Sequence, residues 1–182
     1  MSDMKNGVNL AALGGFVDAV KTGAVSADVR FSARSKWMGG TRSEVTIDSF
    51  TAGGVNAAPP ERSFTLQIDE PAAMGGQDLA PNPVEYLAAG LCGCITAGII
   101  TNAALFGTEV EGLEVTVDAD INVLGLFGLD RSAPSQCSRI TYPVKLRGGD
   151  EAALRKSKEV IDGKSPVRNT LANATEIVTH VV

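Results

Sequence analysis

The chain has 182 residues, a length that suits one domain with a short extension rather than two full domains. Lys and Arg number 16 and Asp and Glu 21, a net charge of -5, which excludes a nucleic-acid binder that must displace counterions with a basic face. Hydrophobic content of 44% and charged content of 20% exclude a disordered chain, and with aromatics at only 5% the core must come from Ala, Val, Leu and Ile.

The N-terminus lacks a basic region followed by a continuous apolar run, so no secretory signal is expected and the expected compartment is the cytoplasm. Leu10, Leu13, Phe16, Val17 and Val20 then recur at three- and four-residue spacing, which predicts an amphipathic helix over 9–21. The expected organisation is a helical extension over 1–24 and one domain over 25–182. From Val25 to Ala33 the period becomes two, Gly39-Gly40 turns the chain, and Val45 and Ile47 continue as a second strand. After a loop over 51–60, Phe64, Leu66 and Ile68 predict a third strand that stops at Asp69, so an antiparallel meander is expected.

Asn82-Pro83-Val84-Glu85 is a helix start: an N-cap amide, proline at the first helical position and an acid placed to reach back. The helix should run to about Phe106 and end at Gly107. From Tyr86 to Thr108 it carries no charge, long enough for a bilayer of about 30 Å. Its many Ala, Gly, Cys and Thr residues, with no flanking Lys/Arg cluster, favour a buried helix over a membrane span. Strands are expected over 113–121 and 140–146 around an irregular segment at 124–136. A helix follows from Asp150 to Gly163, then a short one capped by Ser165-Pro166, and a β-branched strand over 176–182. The fold class is α+β, with about six strands and two principal helices. One small sheet cannot cover an apolar helix on every side, so a second subunit is expected to do so.

Chemistry narrows quickly. The single His, at position 180, and the absence of Cys-x-x-Cys leave no metal set, and no cofactor is expected. No Gly-x-Ser-x-Gly elbow or phosphate-binding glycine loop occurs. Thiols remain. Cys92 and Cys94 are two apart in a helix and point to different faces, which argues against a shared metal, and a disulfide between them would strain the helix. On spacing alone, these two and Cys137 read as small core residues.

The run Asp69-Glu70-Pro71, Gly75-Gly76 and Ala80 to Cys94 resembles the OsmC/Ohr family of osmotically inducible and organic-hydroperoxide-resistance proteins. Gly112-Leu113-Glu114-Val115 and Ser165-Pro166-Val167 also fit, in the branch that lacks the second cysteine. The resemblance implies antiparallel sheets wrapped around long central helices in an intertwined homodimer. It implies a helix cysteine that attacks peroxide and becomes sulfenic acid, matched by Cys94, with an arginine matched by Arg42 and a carboxylate matched by Glu85. Each has a plainer reading: Glu85 as the acid of a capping box, Arg42 as a solvated charge, Ser165 as an N-cap. Glu85 lies nine residues before Cys94, about 13.5 Å and half a turn away on an ideal helix, where the peroxide-resistance subgroup has ten.

The expected function is thiol-dependent reduction of small organic hydroperoxides, with Cys94 as nucleophile, Arg42 polarising the peroxide and Glu85 holding the guanidinium. Serine at 165 cannot form a disulfide, so an external thiol reductant, or Cys137 if it lies close, would resolve the sulfenic acid. The alternative is a non-catalytic dimer that binds a small apolar ligand at the subunit interface. Neither nucleic acid nor membrane is an expected partner.

Overall fold

A computed structural model describes residues 4–181. In chain order its strands are β1 (Met4–Lys5), β2 (Val8–Asn9), β3 (Val29–Phe31), β4 (Arg34–Gly39), β5 (Arg42–Ile47), β6 (Phe50–Ala52), β7 (Val55–Asn56), β8 (Phe64–Ile68), β9 (Val110–Val115), β10 (Asp118–Asp120), β11 (Arg139–Thr141) and β12 (Val144–Gly148). The helices are α1 (Leu10–Lys21), α2 (Pro83–Leu105), α3 (Val123–Leu126), α4 (Glu151–Lys164) and α5 (Pro166–Ala172). The class is α+β with small antiparallel sheets, and the chain divides into two units: residues 11–86, and the first ten residues together with 87–182.

In the 11–86 unit, strands β4, β5 and β8 are neighbours in that order, the expected meander. The strand expected over 25–33 is shorter, because the chain changes partner: β3 pairs with β6, and β4 with β5. The loop expected over 51–60 contains most of a hairpin, β6–β7, turned at Gly53 (φ 58) and Gly54 (φ 83). Both positions need positive φ, so this Gly-Gly pair was the readable turn signal. Helix α1 follows its predicted spacing yet buries none of its residues.

In the second unit, β9 pairs with β12 and β10 with β11. The two strands expected over 113–121 and 140–146 are each cut in two at the same level, where Pro143 offers no N–H to the ladder. Only its carbonyl takes part, accepting from Thr116 N at 3.2 Å. The expected strand over 176–182 is absent: residues 174–181 form none, and Ile177 and Val178 are exposed. Alternating β-branched residues make a strand only when an edge receives them, and none pairs with this segment. Residue 182 lies outside the described residues. At the other end, the Asn6 side chain donates to Thr108 O at 3.0 Å and accepts from Val110 N at 3.1 Å, fixing the β1–β2 turn to the chain that leaves α2.

The core of this unit is one stripe of α2. Leu91, Ile95, Ile99 and Ala103, each four residues on from the last, are buried together with Ile161 of α4. Leu113, Val115, Ile140, Val144, Leu146 and Val167 pack against the cluster. Much of α2 stays uncovered, and by length and composition alone it could cross a membrane. Gly98 lets α4 come close: a Cβ there would stand 2.1 Å from Ile161 Cγ1 and 2.2 Å from Cδ1.

Candidate active site

Cys94 sits on α2, four residues before Gly98, and Ser165 lies four residues after Ile161. The close helix contact therefore brings the two side chains together. Cys94 Sγ is half-buried and lies 3.0 Å from Ser165 Oγ. Ser165 is fully buried between α4 and α5. Its oxygen accepts the Arg168 N–H at 3.1 Å as the N-cap of α5, which leaves its own hydrogen for the sulfur. Spacing alone identified only the cap; it was the family resemblance, setting Ser165 at the position of the second cysteine, that tied residue 165 to residue 94.

Cys92, about 200° around the helix from Cys94, faces the sheet, with Sγ 3.5 Å from Val115 O. All three cysteines are free thiols. Among the described residues, no three of His, Cys, Asp and Glu are placed to hold a metal ion.

Arg42 and Glu85 belong to the 11–86 unit and Cys94 to the other. Arg42 opens β5 opposite Gly39 and lines a cavity of about 230 Å³ with Thr41, Asp69, Gly76 and Gln77. Its side chain makes no hydrogen bond or ion pair among the described residues. Glu85 forms the reciprocal capping box: Asn82 N donates to Oε2 at 2.7 Å, and Glu85 N donates to Asn82 Oδ1 at 2.9 Å. The structure does not join Glu85 to Arg42.

Asp69, read from sequence as a strand end and as the start of the run that carries the resemblance, is the acid among the residues lining this cavity. It is buried and accepts from Thr41 Oγ1 at 2.6 Å and from the backbone N–H groups of Glu70, Gln77 and Leu79. It thereby fastens the loop 70–79 to the β4–β5 turn. The Thr41 hydroxyl, with those N–H groups and against the opposing effect of burial, holds its carboxyl down at about 2 from 3.8. A folded pKa below the unfolded one stabilises above 3.8, and the contribution fades as pH falls through about 2. Urea midpoints at about pH 5 and about pH 2.5 should therefore differ more in the wild type than in Asp69→Asn. An equal drop in both would remove Asp69 as the responsible group.

Residues 75–180 match the family described as OsmC-like protein. The chain belongs to the OsmC family. No curated protein matches it in sequence. Among solved structures it is similar to a protein of Psychrobacter arcticus 273-4, at 14% identity over 76% of this chain and 85% of that one, TM-score 0.57. An OsmC-like protein of Mycoplasma pneumoniae gives 13%, 79%, 87% and 0.56 for the same measures. An organic hydroperoxide resistance protein OsmC of Legionella pneumophila gives 17%, 78%, 89% and 0.52. At these identities the likeness is one of fold. Within this OsmC-family chain, the geometry itself singles out one pair, the thiol of Cys94 and the enclosed hydroxyl of Ser165.

Proposed function

We propose that the chain is a thiol-dependent peroxidase that reduces small organic hydroperoxides through Cys94. The observation that carries this reading is the 3.0 Å Sγ to Oγ contact, across which the Ser165 hydroxyl would donate to the sulfur once Cys94 is a thiolate. The Cys94 thiolate attacks the outer peroxide oxygen and the O–O bond breaks. Cys94 is left as sulfenic acid, and the departing alkoxide takes a proton to become the alcohol. An external thiol then condenses with the sulfenic acid, releasing water, and a second molecule of that thiol frees Cys94 as a disulfide of the reductant leaves.

Arg42, which has no polar bond among the described residues, is assigned to polarise the peroxide, and Glu85, whose Oε1 has no partner among them, to orient it. The uncovered apolar surface of α2 supports a homodimer in which a second copy covers it, rather than a membrane span. We place the protein in the cytoplasm.

Intact mass after brief exposure of the reduced chain to cumene hydroperoxide tests the reading. The wild type should gain one oxygen atom and Cys94→Ser none. Equal, slow reaction of both would overturn the peroxidase reading. It would favour the second one, a non-catalytic dimer that binds a small apolar ligand, to which the serine at 165 lends support.

A further inference from the structure

Beyond the thiol pair, the second unit contains a cavity of about 300 Å³, at the lower end of the size range of small-molecule sites. Leu91, Ile140, Leu171 and Ala172 form its apolar wall, and Arg168, Tyr142, Arg139 and Cys137 its polar one. Cys94 is not among its walls, so a ligand bound in this cavity is independent of the peroxidase reading.

The charges on the polar wall are unequal. Arg139 is solvated and already paired, its Nε 3.3 Å from Asp120 Oδ2. Arg168 is half-buried and has no carboxylate partner among the described residues. Its Nε donates to the Tyr142 hydroxyl at 2.8 Å, and that hydroxyl donates onward to Asp162 Oδ1 at 3.0 Å, whose other oxygen is held by Lys158. Its Nη1 makes one long bond, 3.4 Å, to Asn169 Oδ1. The tyrosine thus fixes the plane of the guanidinium through a neutral atom and leaves its charge uncompensated at the cavity wall. Half-burial removes part of the cation's hydration, both of its hydrogen bonds run to neutral groups, and a bound anion would add the charge-assisted bond that they lack.

We propose that this cavity binds a small amphiphilic carboxylate, with its head group on Arg168 and its apolar body along Leu91, Ile140 and Leu171. A single uncompensated charge fits a monoanion better than a phosphate dianion, and the apolar wall selects for a hydrocarbon body.

Octanoate and uncharged 1-octanol are the probes, titrated calorimetrically into the full chain. Octanoate should bind at least about tenfold more tightly than octanol, the difference expected of one charge-assisted hydrogen bond. Arg168→Gln should erase that difference and Arg168→Lys should keep part of it. Saturating octanoate should also slow alkylation of Cys137 by iodoacetamide while leaving Cys92 unaffected. Arg168→Gln also disturbs the α5 cap region, so Leu171→Trp serves as an independent probe. It fills the cavity without touching the Arg168–Tyr142 bond and should abolish octanoate binding with the thermal midpoint retained. Equal affinity for the two probes, an unprotected Cys137, or undiminished binding by Leu171→Trp would each overturn the proposal.

Discussion

Ser165→Cys should turn peroxide-treated protein from a species that gains oxygen into one that loses two hydrogens, as Cys94 and the new thiol close a disulfide. The two side-chain atoms already stand 3.0 Å apart, against about 2.05 Å in a disulfide, and the longer carbon–sulfur bond takes up part of the gap. Positions 94 and 165 are 71 residues apart, so loop closure predicts about 4 kcal/mol of stabilisation in the oxidised state. Loss of the serine cap on α5 costs about 1 kcal/mol. The net gain of about 3 kcal/mol should be read as a higher urea midpoint that vanishes when a reductant is added. Should the mass rise by oxygen alone, with no dithiothreitol-sensitive shift in midpoint, residue 165 would not be within reach of the sulfur during turnover.

Gly98→Ala should be destabilising even though alanine is the better helix former by about 1 kcal/mol. The added methyl would meet three atoms of Ile161, including its Cβ at 2.9 Å, so rotation of the side chain's far end cannot clear it. Overpacking of this kind costs about 1–3 kcal/mol, and here the backbone of α4 has to move as well. That movement reaches chemistry, because the Gly98–Ile161 and Cys94–Ser165 pairs lie one turn apart along the same two helices. In the Gly98→Ala, Ser165→Cys double variant, disulfide formation should slow by about a hundredfold, the usual penalty for a displacement near 1 Å. Adding Ile161→Ala should restore room and recover most of the rate, a coupling measurable by a mutant cycle. A disulfide rate unaffected by Gly98→Ala would mean that the helix contact does not set the thiol geometry.

The elements with strong local signals were legible. Asn82-Pro83-Val84-Glu85 marked the start of α2, and the capping box is formed as the spacing required. Gly107, at φ 74, closes that helix as expected. Asp150 caps α4, its side chain accepting from Ala152 N and Ala153 N. Strand boundaries were less legible, because they depend on which neighbour supplies the ladder. Pro143 interrupts two strands at once, and the 176–181 pattern finds no edge. The site was legible only in part. The resemblance could place Cys94 on the helix and Ser165 at its partner's position, but the close helix approach that brings them together depends on Gly98, whose absent side chain leaves no mark in a periodicity. The role of Asp69 was missed for a similar reason: three N–H groups of the 70–79 loop and the Thr41 hydroxyl of the β4–β5 turn converge on it, and loop geometry has no period.

A single oxygen atom, that of Ser165, serves both as the first-turn acceptor of α5 and as the neighbour of the Cys94 sulfur. The side chain is fully enclosed, so an oxygen added to the sulfur cannot enter that gap without displacing the hydroxyl or turning away from it. Either response alters how firmly the first turn of α5 is held. Chemical change at one atom of α2 is thereby registered as mechanical slack three residues into another helix, at the Arg168 amide, where amide hydrogen exchange would record it.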